Sequence, residues 1–328
     1  MSKNKSLFYQ FQTAISDCFS LGYDKHSMKQ QKQQNSQPWR IFSFSAKSNL
    51  LDAAHSLSHF AKENFGVKQV KDISETICQE WLNSKAKSGC SISTLNTYQS
   101  NLKKLSCAVN HYFGLHTSYR TKMCTDLIVD KTTAKAFALS DNEIEQIKQS
   151  IKTPCNSSNF FIFGTYTSVR VNSVEKLRVC DLHFLGGNRI DIDVVADKGG
   201  RNRTISVDSK EFYSFCQTLI LGKNTKDLLF GGIKKGSVNK WLNRRIKKLN
   251  ITIPTEKAIG QKSIFKSGNH SVRKASIQQY YRNQYQHYIE NGLPEDRAKA
   301  VAQGDCCVRL GHSRNRTDIV NLYLKSDC

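Results

Sequence analysis

Four short stretches in the second half of this sequence carry side chains suited to phosphoryl transfer. Arg170 stands in "TSVRVNSVEKL", among Val169, Val171, Val174 and Leu177. A guanidinium in apolar surroundings is costly unless it meets an anion, and its planar fork matches two phosphate oxygens. Lys198 stands in "DKGGRNR", where glycines let the backbone turn tightly and approach a ligand, and the lysine offers a mobile proton. His270 and Arg273, in "GNHSVRKAS", are three apart and share one helix face. The histidine can exchange a proton near neutral pH, and the arginine can hold developing phosphate charge. The fourth stretch, "LGHSRNRTDIVNLYL", holds His312 and Tyr323. A tyrosine oxygen becomes a competent nucleophile once it is deprotonated or its charge is stabilised, which a nest of arginine, lysine and histidine would do. The last three stretches also have ordinary readings: a surface hairpin, a capping histidine with a solvated arginine, and a tyrosine that packs a last helix.

The elements that must hold these residues are mostly helical. Leu7 to Phe19 spaces Leu7, Phe8, Phe11, Ala14, Ile15, Cys18 and Phe19 as an amphipathic helix. The polar, low-complexity "KQQKQQNSQP" then reads as a linker. Leu50, Ala54, Leu57 and Ala61 lie on one face of a further helix. "SETICQEWLNSKAK" forms another, and Ser93 is expected to cap a third that carries Leu95, Tyr98, Leu102, Leu105, Val109 and Tyr112. Residues 121–138 lack periodicity. Ser140-x-x-Glu143 is a capping box that opens a new helix. "RIDIDVVA" and "RTISVD" alternate like strands, and Gly199-Gly200 between them marks a hairpin. "VNKWLNRRIKKL", "SVRKASIQQYYRNQYQHYI", "PEDRAKAVAQ" and the Tyr323 segment read as helices. The expected organisation is an N-terminal helical extension with polar linker (1–45), a small basic helical domain (46–122), a linker (123–138) and a second domain (139–328). The fold class is mainly α with a small β-sheet.

Lys and Arg number 49 against 27 Asp and Glu, a formal net of +22. Self-repulsion on that scale points to a polyanionic partner, nucleic acid first. The charge is spread along the chain and not gathered on one amphipathic helix, which argues against a membrane surface. No apolar run has the length of a membrane span, and the opening "MSKNKSLFYQFQTAISDCF" lacks the form of a secretion signal, so a cytoplasmic location is expected. The 11 cysteines include no C-x-x-C pair and read as reduced structural thiols. No G-x-x-x-x-G-K-[ST] loop is present.

Taken in order, Arg170, Lys198, His270-x-x-Arg273, Leu-Gly-His312 and Tyr323 resemble the catalytic domain of the tyrosine recombinases, the phage-integrase family. The stretch "WLNSKAKSGCSISTLNTYQSNLKKLSCAVNHYF" is similar to that family's core-binding domain, a SAM-like helical unit. The resemblance spans about residues 46–325. Three features depart from the family pattern. Ser173 stands where an acidic residue usually follows the first arginine, with Glu175 nearby. Tyr323 follows His312 by eleven positions where nine is commoner. The segment between Arg273 and His312 is lengthened by "YYRNQYQHYIENGLPEDR".

The resemblance implies site-specific DNA breaking and rejoining through a 3′-phosphotyrosyl link, for integration or excision of a mobile element, with no metal and no nucleotide cofactor. It implies Tyr323 as nucleophile and Arg170 and Arg273 as stabilisers of the phosphorane. Lys198 would be the proton donor to the leaving 5′-oxygen. His270 would assist proton removal from Tyr323, and His312 would be a hydrogen-bond donor to a non-bridging oxygen. Its implied partners are double-stranded DNA carrying recombination sites, a homo-tetramer on that DNA, and accessory DNA-bending proteins, on the nucleoid. Lys87, Thr94, Lys103, Lys104, Arg201, Arg203 and Lys274 are further expected DNA contacts. Two other readings stand beside this one: a telomere resolvase or type IB topoisomerase using the same chemistry, and a non-catalytic DNA-binding protein on the same fold.

Overall fold

The structure, a computed structural model, describes residues 5–20, 37–123, 138–195, 202–251 and 268–324. Most of the expected polar linker, most of the segment 121–138, and the hairpin turn with Lys198 and Arg201 lie outside them. The chain divides into two compact units, Met1–Thr133 and Ala134–Cys328.

The first unit is helical. Its described elements are α1 (Leu7–Asp17), α2 (Phe44–Phe65), α3 (Glu75–Lys87) and α4 (Ile92–Phe113). Serine hydroxyls cap all four, Ser6, Ser43, Ser74 and Ser91, each accepting from a backbone N–H of the first turn. The cap of α4 is thus Ser91 and not the expected Ser93. Ser91 keeps extended backbone angles and reaches the Thr94 N–H, which places Ser93 inside the first turn. Helices α2 and α4 stop at Gly66 and Gly114, both left-handed with φ 64°, where glycine carries no Cβ penalty. Phe11, Ala14 and Ile15 of α1 enter one core with Leu57 of α2, Trp81 of α3 and Leu102 and Leu105 of α4.

The second unit surrounds a three-stranded antiparallel sheet in the order β1 (Leu182–Phe184), β2 (Arg189–Val194), β3 (Arg203–Asp208). Ile192 faces Ile205 and Val194 faces Arg203 across the β2–β3 ladder. Alternation turns Ile190, Ile192, Val194, Ile205 and Val207 inward, against Phe163, Phe212 and Phe230. The helices are α5 (Asp141–Gln149), α6 (Asn156–Thr167), α7 (Lys210–Ile220), α8 (Lys235–Lys248), α9 (Asn269–Glu290), α10 (Glu295–Arg309) and α11 (Thr317–Leu324). The capping box of α5 forms as expected: Ser140 accepts from the Glu143 N–H, and the Glu143 carboxylate accepts from the Ser140 N–H. The lengthened segment after Arg273 becomes the far half of α9 and the start of α10, joined through Gly292 at a φ of +82°.

All nine cysteines among the described residues are free thiols. Among the described residues no helix is long and apolar enough to cross a membrane, and no group of three His, Cys, Asp or Glu could hold a metal ion.

Candidate active site

Every expected catalytic residue within the described part lies in the second unit. Helix α6 ends at Ser168, whose φ of 53° is left-handed, unusual for a residue with a Cβ. That kink sends the chain into extended Arg170, which precedes a short 3-10 turn, Val171–Glu175. Strand β3 begins at Arg203. Helix α9 begins at Asn269, with His270 in its first turn and Arg273 one turn on. Helix α10 ends at Arg309 and feeds the turn Leu310–Gly311–His312, and α11 carries Tyr323.

Arg273 is the centre of this arrangement. It is 3% exposed. Its Nη1 donates to the carbonyl of Ser168 and its Nη2 to the carbonyl of Leu310, the latter at 3.0 Å. One guanidinium therefore joins the kink that presents Arg170 to the turn that presents His312. Its Nε is buried with no hydrogen-bond partner, which leaves donor capacity for an anion. Burial pulls the Arg273 pKa down to about 10; the neighbouring Tyr323 opposes that fall, while Arg170 and Arg203 add to it. The Ser168 hydroxyl also pairs with Ser276 on α9 at 2.7 Å, which fixes the kink from a second side.

Tyr323 is half-buried and stands beside both residues of the His-x-x-Arg motif. Its ring centroid is 5.4 Å from that of His270, and the Arg273 guanidinium carbon lies 5.8 Å from its ring. The i, i+3 spacing thus turns both side chains toward one tyrosine. The Tyr323 carbonyl accepts from Gln278 at 2.8 Å, tying α11 to α9. The eleven-residue interval after His312 is taken up by a turn, in which the Arg316 N–H reaches the Ser313 carbonyl, followed by nearly two turns of α11. His312 Nε2 lies 3.5 Å from Arg170 Nη2. Ser173 is buried inside the 3-10 turn. Glu175 turns elsewhere: its carboxylate accepts the Lys235 N–H at 3.0 Å at the start of α8, and that bond holds its pKa below the ordinary carboxylate value.

The other expected contacts scatter. Lys87 and Lys103 are exposed on α3 and α4 of the first unit, and Thr94 is half-buried in the first turn of α4. The Lys104 ammonium donates to the Pro38 carbonyl. Lys274 is 4% exposed and lies in the second turn of α9. Arg203 is half-buried beside Gly311 and does not stand on an open face.

One important residue was not expected. Arg309 is 8% exposed, donates to the carbonyls of Ser206 (3.0 Å) and Tyr166 (2.5 Å), and stacks over the Tyr280 ring at 4.2 Å. It ties β3, α6 and α9 to the His312 turn. Its only sequence signal is its place immediately before Leu-Gly-His.

Comparison of the sequence with protein-family models and with curated proteins finds no match. Solved structures do match. The XerH site-specific recombinase bound to palindromic difH substrate, a post-cleavage complex, aligns with a TM-score of 0.63 at 14% identity, over 98% of this chain and 94% of that one. The Tn1549 transposon integrase in complex with transposon right end DNA aligns at 0.56 and 12% identity, over 97% and 94%. A lambda integrase dimer bound to a COC′ core site aligns at 0.56 and 14%, over 98% and 81%. A lambda integrase tetramer bound to a Holliday junction aligns at 0.55 and 15%, over 90% and 76%. The chain has the tyrosine-recombinase fold.

Proposed function

We propose that this protein is a tyrosine-type site-specific recombinase that breaks and rejoins DNA through a 3′-phosphotyrosyl intermediate, in the integration or excision of a mobile element. The observation that carries this reading is the convergence of His270, Arg273 and Tyr323 on one spot, at 5.4 and 5.8 Å, with Arg170 tied to the same spot through His312 and the Ser168 carbonyl. The similar structures, a site-specific recombinase and two integrases on their DNA sites, support the same conclusion.

In the proposed reaction the Tyr323 oxygen bonds to the scissile phosphorus as the bond to the 5′-oxygen breaks. His270 takes up the phenol proton, and Lys198 gives a proton to the departing 5′-oxygen. Arg170, Arg273 and His312 hold the charge of the five-coordinate phosphorus, and each such fixed donor is worth a few kcal/mol. The phosphotyrosine conserves the bond energy, so rejoining by an incoming 5′-hydroxyl is the same reaction in reverse. The first unit and the second would grip duplex DNA mainly through phosphate contacts, with four protomers on two sites as the working assembly.

The test is covalent trapping. The full chain and its Tyr323→Phe variant are mixed with nicked duplexes drawn from a randomised library, and complexes are separated under denaturing conditions. The nick lets the short strand diffuse away, so a phosphotyrosine accumulates. A denaturation-resistant protein–DNA band in the wild type, absent in Tyr323→Phe, is expected. Tight binding with no such band across the library would leave a non-catalytic DNA-binding protein as the correct reading.

A further inference from the structure

The turn that follows His312 is held to α10 by a contact that the proposed reaction does not use. Arg314 stands in that turn, between His312 and the start of α11. Its guanidinium pairs with the Asp305 carboxylate near the end of α10. The Asp305 side chain is 13% exposed, and its other oxygen accepts the Tyr288 hydroxyl of α9 at 2.6 Å. Both carboxylate oxygens are thus engaged, each by a different element. Tyr288 belongs to the stretch that lengthens the segment between Arg273 and His312, and Arg314 to the eleven-residue interval that ends at Tyr323. Two departures of this chain from the family pattern therefore meet at one carboxylate.

The stem of Arg314 has a fitted place as well. A Cβ built on Gly304, one residue before Asp305, would stand 2.8 Å from Arg314 Cγ and 3.6 Å from the Arg314 carbonyl oxygen. Glycine inside a helix is unfavourable relative to alanine, and here it gives the turn room to lie against α10. The same part of α10 also receives α11: Cys306 and Cys307 are buried with Val320, and Gln303 Nε2 donates to Asn321 Oδ1 at 3.3 Å. Residues 303–307 thus hold both the turn and the helix that carries Tyr323. An exposed ion pair alone does little. This one has a mostly buried carboxylate, a second donor on it, and a glycine that makes room for the arginine stem.

We propose that Arg314 and Asp305 are positioning residues for Tyr323: by fixing the turn on α10 they keep the tyrosine beside His270 and Arg273, ready to attack. This rests on the recombinase reading above and adds how its nucleophile is held. A loosened turn lowers the fraction of complexes poised for attack. Once the Tyr323 oxygen is bonded to phosphorus, that bond holds the side chain in place. The pair therefore matters for forming the link and little for reversing it.

Comparing the two directions tests this. Single-turnover linkage on a nicked duplex at saturating protein is measured for wild type, Arg314→Met, Asp305→Asn and the double variant. The covalent complex of each is then given a strand with a free 5′-hydroxyl, and resealing is timed. Each single variant is expected to slow linkage by about 10-fold, within the range of coupled neighbouring side chains. The double variant should be no slower than the slower single one, and resealing should stay near the wild-type rate in all. Wild-type linkage by either single variant would overturn the proposal. So would additive losses, or equal slowing of linkage and resealing, which would mean that the pair supports the phosphate site or the fold at large. The Arg314 side chain is 62% exposed, so Arg314→Met is expected to fold; should Asp305→Asn not, Arg314→Met carries the two-direction comparison alone. If wild type forms no covalent complex, or Tyr323→Phe still does, the recombinase reading itself falls and takes this one with it.

Discussion

The first unit buries Phe11, Leu57, Trp81, Leu102 and Leu105, with two serines as its buried polar residues among those described. The second buries, along the first three turns of α9 alone, Asn269, Ser271, Arg273, Lys274, Ser276 and Gln278, and adds Arg309 at the end of α10. Hydrocarbon burial of the first kind is stabilising and nonspecific in chemistry. Burial of two guanidiniums is stable only because backbone carbonyls of Ser168, Leu310, Ser206 and Tyr166 receive them. The contrast teaches where each unit's sequence is under chemical constraint: the first must be apolar on the right faces, while the second must place particular charged groups at particular carbonyls.

The sharpest way to break this contrast is Arg273→Met. The substitution keeps much of the side chain's bulk but strands the Ser168 and Leu310 carbonyls. Covalent linkage should fall by about 1,000-fold or more, and the second unit should lose roughly 3–5 kcal/mol, the scale for removing one member of a buried charged network. Trapping kinetics and urea unfolding report the two effects separately. A variant that unfolds like wild type would show that the buried arginine does not hold the site together.

Next in size is Phe11→Ala. Phe11 is fully buried and meets Tyr119 edge-on at 6.3 Å, so its loss should cost about 3–5 kcal/mol. Limited proteolysis should then cut the first unit before the second. Equal sensitivity of both would sharpen the comparison differently, by showing that the two units unfold as one.

The thiols are alike in both units, which gives a prediction without contrast. Burial lifts Cys18 and Cys78 in the first unit and Cys216 and Cys306 in the second from the ordinary 9.0 to about 12. The folded state keeps these protons where the unfolded chain gives them up. Their contribution to stability is therefore complete below about pH 9 and is lost as pH rises from there to about 12. A thiol reagent at neutral pH should leave these four unmodified. Cys155 should react first: it is exposed, and although burial pushes its thiol up, hydrogen bonds from Ser158 and Ser157 and the Arg245 charge bring it below the ordinary value. Prompt labelling of Cys216 or Cys306 in the native protein would contradict the packing.

The smallest effect is Ser140→Ala, which removes the capping box of α5. About 1 kcal/mol should be lost, read as a lower urea midpoint. No change would mean that Leu139, buried beside the cap, holds the helix start unaided.

Much of this architecture was legible before any coordinates. The periodic faces of α2 and α4, the Ser140 cap and the β2–β3 pair follow from spacing alone, because local geometry decides them. So does the nearness of His270 and Arg273 to one another, three residues apart on one helix. What spacing does not carry is the partner of a long side chain across the fold. Arg273 reaches a carbonyl 105 residues back and another 37 ahead, and neither acceptor has a side-chain signature. For the same reason nothing in the spacing shows that Lys274 and Arg309 are buried, or that Arg203 lies against Gly311. The cap of α4 missed by two residues because Ser91 and Ser93 are equally good caps in composition.

In the proposed reaction the oxygen of Tyr323 becomes bonded to DNA. The most direct measurement is to trap the covalent complex, digest the DNA with nuclease and the protein with trypsin, and locate the residual nucleotide by mass spectrometry. Cleavage after Arg316 and Lys325 yields the peptide "TDIVNLYLK", in which Tyr323 is the sole tyrosine. A nucleotide joined through its 3′-phosphate to Tyr323 of that peptide is expected. An adduct on Tyr280, Tyr281 or a serine, or an unmodified Tyr323 peptide recovered from a trapped complex, would contradict it.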